Sequence, residues 1–103
     1  MHNIWIADDD EAIRMVLEEG LKSSDLAITT FANGESLIEA LNEDQPDLII
    51  SDIKMPGIHG YDLLKHIKNN HEKIPVIIMT AFTDMQAAID AYGGGAFEYI
   101  PKP

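Results

Sequence analysis

The chain has 103 residues, 46% of them hydrophobic and 24% charged, the proportions of a folded domain rather than of a disordered acidic tail. Seven Lys and Arg stand against 18 Asp and Glu, a formal charge of −11 that excludes a basic nucleic-acid footprint. With no cysteine, disulfides, thiolate zinc clusters and a cysteine nucleophile are excluded as well.

The opening Met1-His2-Asn3-Ile4-Trp5-Ile6 has no basic lead, and its apolar run meets acids too soon to be a signal peptide or a membrane span. A soluble cytoplasmic domain is expected. Residues 3–7 read as the first strand, followed by a helix on which Ile13, Val16, Leu17 and Leu21 form the apolar stripe and Arg14, Glu18, Glu19 and Lys22 the outer face. Residues 27–31 read as a second strand, and Leu37, Ile38 and Leu41 mark a second helix capped near Asn33. A third strand at 48–51 precedes a third helix that starts near Gly60, carries Leu63, Leu64 and Ile67, and frays at Asn69-Asn70. The fourth strand, 75–79, leads into a weaker helix over 83–92, whose stripe is Ala87, Ala88 and Ala91 with Ile89 and Tyr92 and which ends in Gly93-Gly94-Gly95. A fifth strand is expected at 98–100.

Ile4-Trp5-Ile6, Leu48-Ile49-Ile50 and Val76-Ile77-Ile78-Met79 lack polar alternation, as strands covered on both faces by helices do. Regular alternation of strand and helix predicts an α/β doubly wound parallel sheet of five strands. In such sheets the ligand crevice lies at the carboxyl ends of the strands. Those positions hold Asp8, Asp9 and Asp10 after the first strand, Asp52 after the third, Thr80 and Ala81 after the fourth, and Lys102 after the fifth.

Taken singly, each has an ordinary explanation: a helix-capping acid run, a strand-end acid, a β-branched strand residue, a surface lysine. Gathered on one edge, the carboxylates repel one another unless a cation relieves them, and oxygen donors from two strands suit a hard divalent metal. His2, His59, His66 and His71 show no paired ligand spacing and are read as surface side chains.

Four blocks, Ile6-Ala7-Asp8-Asp9-Asp10, Ser51-Asp52-Ile53-Lys54-Met55-Pro56-Gly57, Thr80-Ala81 and Gly95-Ala96-Phe97-Glu98-Tyr99-Ile100-Pro101-Lys102-Pro103, resemble the signature blocks of the receiver domain of bacterial two-component response regulators. The resemblance spans essentially all of residues 1–103 and is nearest to the nitrogen-regulation (NtrC) type. It implies a flavodoxin-like sheet of order 2-1-3-4-5 and a phosphoacceptor switch rather than an enzyme. Asp52 is then the phosphoacceptor, with Asp8, Asp9, Asp52 and the backbone carbonyl of Lys54 holding Mg²⁺. Thr80 is the switch hydroxyl, Tyr99 the switch aromatic, Ala81 a phosphate-binding backbone amide and Lys102 the phosphate countercharge, while Asp10 reads as a helix cap.

The implied partners are a sensor histidine kinase and an output domain, of AAA+ and DNA-binding type in that subfamily. The output surface would run over 83–99, with no nucleic acid or membrane bound directly. The resemblance also implies a cis peptide on one side of Lys102 and a fifth helix beside the first. No segment after Pro103 supplies that helix, so a domain cut before its C-terminal helix, or an apolar patch buried against another copy, is expected. Two alternatives use the same strand-end chemistry or fold. A metal-dependent phosphohydrolase would want a carboxylate where Lys54 stands, and an FMN-binding module a Ser, Thr and Gly-rich loop where Asp8 to Glu11 stand.

Overall fold

β1 (His2–Ala7), β3 (Leu48–Asp52) and β4 (Val76–Thr80) lie side by side in the middle of a five-stranded sheet, with β2 (Leu26–Phe31) and β5 (Glu98–Pro101) on the edges. These coordinates are a computed structural model that describes residues 2–81, 93 and 95–101. The order is β2-β1-β3-β4-β5 and every pairing is parallel. The three runs without polar alternation are the three interior strands. Ile4, Trp5, Ile6, Ile49, Ile50, Val76, Ile78 and Met79 are all buried.

Alternation along each strand splits the core into two layers. On one face Trp5, Ala7, Ile49, Val76 and Ile78 meet Leu37 and Leu41 of α2 (Gly34–Leu41) and Leu63, Leu64 and Ile67 of α3 (Gly60–Asn70). On the other, Ile4, Ile6, Ile50 and Met79 are joined by Leu17 of α1 (Glu11–Gly20) and by Leu21. Full burial of a Leu or Ile side chain contributes roughly 1.5–3 kcal/mol, so the α2–α3 layer, with the larger set of fully covered side chains, dominates stability. The α1 face is thinner. No α1 residue is buried, Met15 and Val16 are 63% and 53% exposed, and Leu48, Ile77 and Ile100 are only half-covered there. Val76, Ile78 and Tyr99 face the opposite layer, against α2 and α3.

The structure shifts several expected boundaries. β1 and β2 each begin a residue earlier, and β3 and β4 run one residue on, so that Asp52 and Thr80 close their strands rather than follow them. α3 continues through Asn70, where the Asn70 Nδ2 donates to the His66 carbonyl at 2.9 Å and the His71 N–H to the Ile67 carbonyl at 2.6 Å. Arg14, expected on the outer face of α1, is half-buried and turns back to the sheet end. The helix expected at 83–92, Lys102 and the peptide bonds beside it lie outside the described residues. None of the described helices is long and apolar enough to cross a membrane.

Candidate functional site

The strand register assembles the site. Ala7 pairs with Ser51 across β1 and β3, so the next step sets Asp8 beside Asp52. Asp52 pairs with Met79 of β4, which puts Thr80 one step past it, and Thr80 pairs with Pro101 of β5, immediately before Lys102. Asp8, Asp52 and Thr80 fall on the carboxyl edge. Asp8, Asp52 and Thr80 are 0%, 3% and 2% exposed, whereas Asp9 is open to solvent.

The β1–α1 turn is held by its own polar groups. The Asp8 N–H donates to the Phe31 carbonyl (3.0 Å), the Asp10 N–H donates to Asp8 Oδ1 (2.9 Å), and Arg14 Nη1 donates to the Asp8 carbonyl (2.6 Å). Asp10 points the other way. Its Oδ1 accepts from the Ala12 N–H at 2.9 Å, making it the N-cap of α1 as expected from the sequence.

The loop after β3 is seated on the phosphoacceptor candidate. Ser51 Oγ donates to the Asp52 carbonyl (2.9 Å), the Lys54 N–H to Asp52 Oδ1 (3.3 Å), and the Gly60 N–H to the Ile53 carbonyl (2.9 Å). α3 enters so close to this backbone that a Cβ on Gly60 would stand 2.7 Å from Ile53 Cα and overlap the Asp52 carbonyl oxygen. Only glycine fits there. The same loop turns at Gly57, with φ of +77°, and is tied to α2 by the Ile58 N–H donating to Glu35 Oε1 at 3.3 Å. Gly60, Arg14 and Glu35 were not singled out as site residues from the sequence. A glycine one loop beyond a strand-end acid was the signal available for the first; the other two depend on side-chain reach.

Thr80 Oγ1 donates to the carbonyl of Ala81 at 3.0 Å, and Tyr99 is half-buried against the α2–α3 layer. One carboxylate oxygen from each of Asp8, Asp9 and Asp52 lies within 4.8 Å of the other two, the one such group among the described residues. At an effective dielectric of about 20, two unit charges about 5 Å apart repel by roughly 3 kcal/mol before screening. Three hard oxygen donors on two adjacent strands fit a small divalent cation that keeps part of its water shell.

A five-stranded parallel sheet of order 2-1-3-4-5 with this acid cluster at its carboxyl edge defines a flavodoxin-like α/β domain. The sequence profile of the response regulator receiver domain matches residues 4–103, and the chain belongs to that family. Its receiver is of the NtrC type. It is 53% identical over 100 residues to the DNA-binding transcriptional regulator NtrC of Escherichia coli, covering 97% of this chain and 21% of that protein. The chain thus spans about a fifth of the length of these NtrC relatives. Among solved structures it is similar to the BeF3-activated receiver domain of nitrogen regulatory protein C, with a TM-score of 0.82 and 50% identity over 100% of this chain and 85% of that one. It is also similar to the response regulator TrrA of Thermotoga maritima in complex with Mg(2+)-BeF, with a TM-score of 0.88 and 31% identity over 100% of this chain and 88% of the other.

Proposed function

We propose that Asp52 accepts a phosphoryl group from the phosphohistidine of a sensor kinase and that the chain works as a switch rather than as an enzyme. The observation that carries this reading is the convergence of Asp8, Asp9 and Asp52 at the strand edge, with two of the three carboxylates buried. A carboxylate oxygen of Asp52 attacks phosphorus in line, the P–N bond breaks, and the imidazole leaves with its electron pair. Asp8, Asp9, Asp52 and the Lys54 carbonyl would hold Mg²⁺, which supplies charge stabilisation at the phosphoryl oxygens when bound. Lys102 adds a second countercharge and the Ala81 backbone a hydrogen bond.

The phosphoryl group brings about −1.5 to −2 charge to Asp52. Thr80 then exchanges its bond to the Ala81 carbonyl for one to a phosphoryl oxygen, and the space it leaves lets Tyr99 move inward. The surface over 83–99 carries the change to an output domain, transcriptional as in the NtrC-type relatives, in the cytoplasm. Residues 1–103 form the phosphoacceptor unit and bind no nucleic acid themselves, consistent with a net charge of −11.

Incubation with a small acyl phosphodonor and Mg²⁺ followed by intact mass measurement tests the reading. A single labile phosphoryl adduct is expected, absent without Mg²⁺. Sustained phosphate release in its place would favour the phosphohydrolase, and neither outcome would leave the flavin module.

A further inference from the structure

We propose that Arg14 is a positioning residue for the acid pocket: it fixes the peptide that joins Asp8 to Asp9, and through it the aim of both carboxylates at Asp52. The inference rests on the reading that these acids hold Mg²⁺. Arg14 Nη1 donates to the Asp8 carbonyl at 2.6 Å, a short charge-assisted bond in a half-buried setting. That carbonyl and the Asp9 N–H belong to one planar peptide, so holding the oxygen sets the direction in which the chain delivers Asp9. Two further groups of Asp8 are anchored too, its N–H on the Phe31 carbonyl and its Oδ1 on the Asp10 N–H. Arg14 in turn stands on a firm base. Its own N–H donates to the Asp10 carbonyl at 3.1 Å, in the first turn of α1, which Asp10 caps. Asp9 is exposed, so its direction depends on the peptide plane that delivers it.

The sign of the effect separates positioning from charge. A fixed cation held at the Asp8 carbonyl opposes the entry of a second cation nearby, so deleting Arg14 as a charge alone would tighten Mg²⁺ binding. Loss of a residue that orients ligands weakens it, by roughly 10-fold or more in metal sites whose supporting hydrogen bonds are removed.

The test is a MgCl₂ titration at constant ionic strength, read by the backbone amide shifts of Asp8, Asp9 and Asp52 in wild type, Arg14→Met and Arg14→Lys. These shifts come from folded molecules only, so a stability loss does not imitate a weaker site. Arg14→Met is expected to bind Mg²⁺ roughly 10-fold more weakly. Arg14→Lys keeps the charge and one donor but not the planar fork, and should fall between it and wild type. Should Arg14→Met fail to fold, Arg14→Lys decides alone by binding more weakly than wild type. Unchanged or tighter binding in the folded variants overturns the assignment, and a wild-type chain with no Mg²⁺-dependent shifts overturns the metal reading and the assignment together.

Discussion

Replacing Gly60 by Ala is expected to damage both the fold and the phosphoacceptor, although the usual effect of this change in a helix is stabilising. An alanine at a helical position gains up to about 1 kcal/mol over glycine. Here the added Cβ would stand 2.7 Å from Ile53 Cα and 3.0 Å from the Asp52 carbonyl carbon, and would overlap the Asp52 oxygen, whereas ordinary contacts begin at 3.4 Å. The obstructing atoms are backbone, so either α3 or the end of β3 must shift by roughly 1 Å. Overpacking of this kind costs about 3 kcal/mol, which leaves a net loss of about 2 kcal/mol. For a domain of this size that lowers Tm by roughly 8–16 °C. A displacement of about 1 Å at a reacting group slows transfer on the order of 100-fold, so phosphorylation by a small donor should fall by more than stability alone explains. Gly20→Ala is the control, because its Cβ would meet nothing within 4 Å. Thermal melting of both variants and the rate of adduct formation on the folded fraction provide the readouts. A Gly60→Ala chain that melts at or above wild type would refute the seat of α3 on Asp52.

Asp9→Asn should abolish Mg²⁺-dependent phosphorylation while raising metal-free stability by up to about 1 kcal/mol, measured by melting in chelator; a melt well below wild type would contradict repulsion among the acids. Asp10→Ala should cost about 1 kcal/mol through loss of the α1 cap and leave Mg²⁺ affinity near wild type, which a titration checks against Asp9→Asn. Gly57→Ala should cost about 1–2 kcal/mol from the φ of +77°, plus an added loss from overlap with the Glu35 carboxylate. Melting of the double variant with Glu35→Ala should recover the second part only. Leu64→Ala, fully buried between α3 and the sheet, should cost about 2–5 kcal/mol by denaturant unfolding.

The sheet was legible because burial on both faces leaves a sequence trace: short, β-branched runs such as Val76-Ile77-Ile78-Met79 without polar alternation fit interior strands. The rule that chemistry gathers at carboxyl strand ends then sufficed to place Asp8, Asp9, Asp52 and Thr80 on one edge, and the register bears that out. Strand ends were harder. Asp52 and Thr80 belong to their strands because hydrogen bonding to the neighbour, such as the Ile53 N–H to the Met79 carbonyl, extends past the last apolar side chain. Arg14 escaped because helical spacing alone puts it off the apolar stripe, and only a long side chain folding back along the helix brings its guanidinium to Asp8. Gly60 was read as a helix start, since nothing local to it tells that α3 abuts the Asp52 carbonyl. Asp10 was set apart from Asp8 and Asp9 only by the family resemblance, because an acidic run before a helix does not itself tell which member caps it; in the structure Asp10 Oδ1 accepts from the Ala12 N–H.

The most direct test of Asp52 as phosphoacceptor is borohydride trapping. An acyl phosphate is reduced to the alcohol at the acceptor residue, whereas phosphate esters and unmodified carboxylates survive. After treatment with phosphodonor and Mg²⁺, peptide mass analysis should place the reduced residue at position 52 alone, and Asp52→Asn should yield none. A reduced residue at Asp8 or Asp9, or trapping that persists unchanged in Asp52→Asn, would contradict the assignment.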